Sequence, residues 1–210
     1  MSTILYVCAS PRGGRSHSRA VAEAFLEGYI QAHPADQIIT LDLFTLDLPS
    51  FDGLRINAKY NILHGLSHNP DEKAAWKVVE EYIHDFKAAD KYVLASPMWN
   101  FGIPYRLKHY FDIIVQPGYT FSFSPETGYQ GLVTGKPIFL ALARGGQYLE
   151  GAPAAAFDLQ RPYLELILKF IGFTDIRSIV VEPTLAAGRE VAQTRRQEGM
   201  ARAREMGKDF

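Results

Sequence analysis

The stretch Thr3–Ser18, TILYVCASPRGGRSHS, decides the fold. Thr3–Cys8 is an unbroken run of mostly apolar, β-rich residues with no polar alternation. That is the pattern of a strand covered on both faces, as strands in a parallel sheet are. Ala9–Ser18 then changes character, to a proline, two glycines, two arginines and three serines. Beyond it Ser16–Ala32 reads as a helix whose apolar stripe is Val21, Ala24, Phe25 and Ile30, with Ser16 or Ser18 as its cap. A buried strand, a polar loop and an amphipathic helix make the first unit of an open α/β sheet, and the loop lies where such sheets bind ligands.

The same alternation recurs along the chain. Gln37–Leu43, Lys91–Ser96, Lys136–Ala143 and Ile176–Glu182 read as further strands. Asp71–Ala88, Pro104–Val115, Ala154–Ile171 and Gly188–Met206 read as helices, with proline at or just before two of the starts and Gly172 at one stop. Five strands separated by helices predict one domain over 1–210: a three-layer α/β sandwich whose parallel sheet has the order 2-1-3-4-5. Two connections, Phe44–Asn69 and Gln116–Gly135, are too long for turns and read as binding loops or interface elements.

Bulk composition narrows the function classes. With 22 Lys+Arg against 23 Asp+Glu the formal charge is −1, which argues against nucleic acid as a partner. The single cysteine excludes a disulfide framework and a cysteine metal cluster, and the six histidines form no metal-ligand spacing. No apolar run approaches the roughly 20 residues that span a bilayer, and no leader pattern opens the chain. The expectation is a cytoplasmic, small-molecule protein without membrane association.

Free backbone N–H groups and the helix dipole favour an anion at the end of the first loop. The hydroxyls of Ser10, Ser16 and Ser18, the cation of Arg12 or Arg15 and the pliant Gly13-Gly14 pair all suit a phosphate. No G-x-G-x-x-G or Walker sequence follows the strand, so neither a dinucleotide fold nor a P-loop explains it. The low-molecular-weight tyrosine phosphatase loop, C-x5-R-[ST], has the right architecture, yet from Cys8 its arginine would fall on Gly14. Arg15-Ser16 comes one residue late, and no Asp-Pro pair supplies that family's acid. Cys8 therefore reads as a strand residue.

After the third strand come Pro97-Met98-Trp99-Asn100-Phe101, and after the fourth Ala143-Arg144-Gly145-Gly146. Aromatic and thioether side chains pack the face of a flat heterocycle, while Asn100 and backbone amides reach its polar edge. The glycines admit close backbone approach, and Arg144 or an aimed N–H near the pyrimidine end would stabilise negative charge. Beside a phosphate loop at the first-to-third-strand switch point, these segments read as a flavin site.

Taken in order, Ser10-Pro11-Arg12 with Ser16-His17-Ser18, Pro97–Phe101 with Ile103-Pro104, and Gly131–Lys136 with Ala143–Gly146 resemble the FMN-dependent NADH-azoreductases. These are flavodoxin-fold NAD(P)H:quinone and azo-compound reductases. The resemblance implies bound FMN, with Ser10 and Ser16–Ser18 on its phosphate and Met98–Phe101 and Ala143–Gly146 lining its ring. It also implies NADH or NADPH as donor, ping-pong two-electron reduction of quinones or azo compounds, and a homodimer. Trp99 stands where tyrosine is common, and Ala143 where serine often precedes Arg-Gly-Gly. No side-chain nucleophile is required. Tyr119, Phe121 and Tyr129 of the second long loop are expected to cover a planar substrate. The competing reading is a flavodoxin-type electron carrier, which a charge of −1 disfavours because carriers dock through strongly acidic faces.

Overall fold

The computed structural model describes residues 1–148 and 151–210. Its elements, in chain order, are β1 (Thr3–Cys8), α1 (His17–Ala32), β2 (Gln37–Asp42), α2 (Gly53–Leu63), α3 (Pro70–Ala88), β3 (Lys91–Pro97) and α4 (Tyr105–Ile114). There follow β4 (Phe121–Ser124), β5 (Gly128–Gly131), β6 (Ile138–Ala143), α5 (Arg161–Ile171), β7 (Ile176–Val181) and α6 (Gly188–Lys208). The parallel sheet runs β2-β1-β3-β6-β7, which is 2-1-3-4-5 once β4 and β5 are set aside as a separate antiparallel hairpin. The flavodoxin-like fold expected from the chain is the fold observed.

The two-residue period of the strands sorts the core into two layers. Ile4, Tyr6 and Cys8 of β1, Val93 and Ala95 of β3, and Phe139 and Ala141 of β6 point to α1 and α6. Leu5 and Val7, Tyr92 and Leu94, and Leu140 and Leu142 point the other way, against α3, α4 and α5. Each fully buried large side chain here contributes roughly 1.5–3 kcal/mol. On the first face Phe25 stacks on Phe139 with ring centroids 4.0 Å apart. Cys8, the chain's one cysteine, is wholly enclosed in that layer.

Helices α1 and α6 pack through glycine. A Cβ on Gly28 would stand 2.0 Å from the Arg204 carbonyl oxygen, and one on Gly207 would stand 2.1 Å from that of Phe25. The expected start of α3 is confirmed with a full capping box: Asn69 Oδ1 accepts from the Glu72 N–H while Glu72 accepts from that of Asn69. Gly172 ends α5 in the left-handed region, as its place in the sequence implies.

Three expectations change. Phe44–Asn69 contains α2, and Gln116–Gly135 contains the β4–β5 hairpin, so neither is a simple loop. The helix expected from Ala154 begins at Arg161, with only a short 3-10 turn at Ala155–Phe157 before it. Pro162 is the reason: it fits a first helical turn but not an interior, where its ring clashes and its N–H is missing. No helix among the described residues is long and apolar enough to cross a membrane.

Candidate functional site

The C-terminal ends of β1, β3 and β6 lie side by side, so the segments that follow them share one crevice. The first begins where the Ala9 N–H bonds the Ala95 carbonyl at 2.9 Å, continuing the ladder one residue past β1. The chain then makes a short 3-10 turn at Gly13–Arg15, and Ser16 caps α1, its Oγ accepting from the Arg19 N–H at 3.2 Å. The Ser16 and Ser18 hydroxyls are buried 3.2 Å apart. Ser10 is 1% exposed, yet its Oγ has no protein partner, and neither has the buried Nδ1 of His17.

An orphaned buried hydroxyl costs on the order of 1–3 kcal/mol. Here the orphan lies on the loop that leads into α1, whose start directs backbone N–H groups outward and concentrates positive dipole. The arrangement fits a bound phosphate. Burial, followed by the positive charges of Arg196 and Arg12, lowers the pKa of His17 below the ordinary histidine value. At neutral pH its ring is uncharged, leaving the positive charge to Arg12 and its neighbours.

The second segment leaves β3 through a Met98 N–H that donates to the Ala143 carbonyl at 2.7 Å. Trp99 and Gly102 then exchange both backbone hydrogen bonds at 3.0 Å, closing a tight two-residue turn. Its central residues, Asn100 and Phe101, have φ of +47° and +69° without being glycine. Such turns prefer glycine or asparagine, and a phenylalanine held there stores strain of order 1 kcal/mol or more. The turn exposes Asn100 and Phe101 at the crevice rim. Phe101 stacks on Phe157 at 5.2 Å and its carbonyl accepts from the Leu159 N–H at 3.0 Å. Trp99 packs between Phe44 and Tyr105 at 5.7 and 6.4 Å. Pro97 and Met98 are half-buried beneath it.

The third segment corrects one expectation. Ala143, Gly145 and Gly146 sit at the end of β6 beside the other two segments, but the Arg144 guanidinium does not face the crevice. At 3% exposure it turns inward and binds Asp158 at 2.7 Å, Glu182 at 3.3 Å and the Gln160 amide oxygen at 3.2 Å. A guanidinium flanked by two carboxylates is satisfied where it is. Gln160 extends the tie to β3 by donating to the Ser96 carbonyl at 3.0 Å. Arg144 thus positions the strand ends and leaves the crevice wall to the glycine backbone.

Tyr119, Phe121 and Tyr129 stand elsewhere. Helix α4 has ten residues and carries the chain about 15 Å, from the crevice end of the sheet to the end where the strands begin. There the Tyr119 hydroxyl donates to Glu80 at 2.6 Å and its carbonyl accepts from Lys87 at 2.7 Å. Phe121 and Tyr129 lie against Phe170 at 4.7 and 5.5 Å. Within one chain these three side chains pack on α3 and α5 and not at the crevice.

Phe44, Tyr105, Tyr148, Phe157, Asp158, Gln160 and Glu182 complete the site, and none was singled out from the sequence. Glu182 follows directly on β7 and Phe44 two residues after β2, positions at the carboxyl ends of parallel strands that predict the crevice rim. The 155–160 residues carry no such signal, because they were read as helix.

The family described as "Flavodoxin-like fold" matches residues 2–206. The chain is 55% identical over 210 residues, all of both sequences, to the FMN-dependent NADH:quinone oxidoreductase of Nitratidesulfovibrio vulgaris strain DP4. It is 49% identical over 209 residues, 98% of each sequence, to the protein of that name from Desulfotalea psychrophila. Among solved structures, an azoreductase of Bacillus anthracis strain Sterne superposes with a TM-score of 0.90 at 33% identity, covering all of both chains. An FMN-dependent NADH-azoreductase of Bacillus anthracis strain Ames Ancestor, solved in complex with FMN, superposes with a TM-score of 0.83 at 26% identity over 99% of this chain and 100% of that one. A parallel sheet of order 2-1-3-4-5, an anion cradle after β1 and a full-length match to such relatives lead to one assignment: the chain belongs to the flavodoxin-like fold family.

Proposed function

We propose that the chain is an FMN-dependent NAD(P)H oxidoreductase that reduces quinones and azo compounds by two electrons. The observation that carries this reading is the unpartnered, buried Ser10 hydroxyl on the loop that leads from β1 into α1, with the strained aromatic turn following the neighbouring strand β3. The full-length likeness to NADH:quinone oxidoreductases supports it. Bound FMN would supply the redox chemistry, a two-electron exchange between the nicotinamide donor and the acceptor.

The chain's own residues bind and orient. Ser10, Ser16, Ser18, Arg12 and the His17 backbone hold the phosphate. Pro97, Met98, Trp99, Asn100 and Phe101 wall the ring on one side, and Ala143, Gly145 and Gly146 approach its edge on the other. Arg144 holds that edge in place through Asp158 and Glu182. Phe101 and Phe157 keep the rim apolar and water-poor, which strengthens polar contacts inside it.

We read the molecule as a homodimer. Tyr105 of α4, Leu159 just before α5 and Leu166 of α5 leave large apolar side chains exposed, Leu166 at 69%, and the hairpin exposes Phe123 and Tyr129. Contiguous apolar surface of this kind favours an interface. A single enclosed cysteine and no disulfide among the described residues suit a reducing, cytoplasmic compartment. Purified protein should be yellow, bind one FMN per chain and oxidise NADH when given a quinone. Sedimentation should give twice the 23.5 kDa chain mass. A colourless protein indifferent to FMN would overturn the assignment.

A further inference from the structure

On the α1/α6 side of the crevice a cavity of about 400 Å³ opens between the first loop and the first turns of α6. Arg12 and Arg15 reach its wall from the loop, Arg189 and Arg196 from α6, and His17 closes its floor. No carboxylate lines it, and none of the four arginines is in a salt bridge among the described residues. Arg196 makes one backbone contact, to the Gly14 carbonyl at 3.1 Å. A chain with 22 basic and 23 acidic residues has therefore gathered four guanidiniums at one concave spot without a counter-charge.

Three further observations point to an anionic ligand. Gly188 and Arg189, the first residues of the long helix α6, lie in the wall, so the positive end of its dipole adds to the arginines. His17 Nδ1 is buried and unpartnered, and its protonation is disfavoured first by burial and then by the nearby cations of Arg196 and Arg12. The far wall, Thr184 and Leu185, is stitched to the β6 end: the Thr184 N–H and Oγ1 both donate to the Arg144 carbonyl, at 2.9 and 2.8 Å, and the Leu185 N–H donates to that of Gly145 at 3.0 Å. The cavity thus runs from the loop after β1 to Thr184 and Leu185, which are hydrogen-bonded to the Arg144–Gly145 backbone. Ser10, Ser16 and Ser18, which suit the FMN phosphate, are not in its lining, whereas Arg12 and His17 border both sites.

We infer that this cavity holds the phosphate groups of the nicotinamide dinucleotide donor. The inference rests on the function proposed above. A dinucleotide whose nicotinamide reaches the flavin carries its charge some distance away, and four fixed cations beside the same crevice match that charge. Guanidiniums are the side chains best suited to it, because their forked donors pair with phosphate oxygens.

The test uses the FMN-loaded protein and the variants Arg189→Gln, Arg196→Gln and their double. Arg189 is exposed and without a side-chain partner among the described residues, so its loss leaves folding intact by thermal melting. Steady-state turnover with a soluble quinone should show KM for the donor raised about tenfold in each single variant and about a hundredfold in the double, the loss expected for charge-assisted hydrogen bonds. The kcat and the FMN dissociation constant should stay within twofold. A larger rise for NADPH than for NADH assigns the cavity to the 2′-phosphate, and equal rises assign it to the diphosphate.

Calorimetric titration of ADP-ribose and 2′,5′-ADP into the holoprotein reads the same site without turnover, and their binding should weaken in the double variant. Donor KM and nucleotide binding unchanged in the double variant would overturn the inference. So would FMN loosening in step with KM, because the cavity would then serve the FMN phosphate. Failure of the function itself looks different: no FMN is retained by the wild type.

Discussion

Replacing Ser10 by alanine should pull stability and cofactor affinity in opposite directions. Ser10 is almost fully enclosed, and its Oγ finds no donor or acceptor in the protein. In the FMN-free chain that hydroxyl carries an uncompensated desolvation penalty of about 1–3 kcal/mol. Ser10→Ala removes the penalty and leaves a void no larger than one oxygen, so a net gain of roughly 1 kcal/mol is expected after the small loss of packing. In a chain of 210 residues that gain raises the melting temperature by about 2–4 °C. With FMN present the sign reverses. A hydroxyl donating to a phosphate oxygen is a charge-assisted bond of about 1.5–3 kcal/mol, so its loss weakens FMN about 10- to 100-fold. The assay is a pair of measurements on one variant: calorimetric melting of the FMN-free protein, and flavin fluorescence titration for the dissociation constant. A lowered melting temperature with unchanged FMN affinity would refute the reasoning, since Ser10 would then be a satisfied structural residue far from the phosphate.

Gly28→Ala should destabilise by more than about 3 kcal/mol, at the top of the overpacking range, because the added methyl meets backbone instead of a movable side chain; urea unfolding reads it. Arg144→Met leaves the buried Glu182 and half-buried Asp158 carboxylates without their cation and should cost about 3–5 kcal/mol by the same assay. A loss below 1 kcal/mol would return Arg144 to the crevice. The depressed pKa of His17 means the unfolded chain takes up a proton first as pH falls, so this group's stabilisation is complete above pH 6.5 and declines below it toward the lowered folded value. His17→Gln should therefore show a flatter fall in urea midpoint between pH 7.5 and 5.5 than the wild type.

The parallel core was legible because its strands are buried on both faces and leave continuous apolar runs, as in TILYVC and IFLALA. Helix α2 was not, since of its residues only Ala58 is buried and its sequence, GLRINAKYNIL, shows no continuous stripe. The hairpin escaped for a related reason: β4 and β5 have four residues each and pair only with each other. In the site, the phosphate loop was readable from residue types at a known position in the fold. The inward turn of Arg144 was not, because its partners Asp158 and Glu182 lie 14 and 38 residues away and nothing local marks them. Positive φ at Asn100 was within reach, as asparagine tolerates it, whereas Phe101 in that region contradicts its own preference and is imposed by the surrounding contacts.

Cys8 has a practical consequence. Its Sγ lies 3.8 Å from the Ser10 carbonyl in the layer beneath α1, and burial raises its pKa, so the sulfur stays protonated and out of reach of reagents. The wild-type chain is thus a silent background for maleimide chemistry. A cysteine introduced at exposed Phe123 would be the only reactive thiol per chain, ready for a spin label or a fluorophore with no native cysteine to remove first. Distances between two such labels would measure how far apart the hairpins of neighbouring copies lie in solution, and spectral changes on adding FMN would report on the hairpin alone.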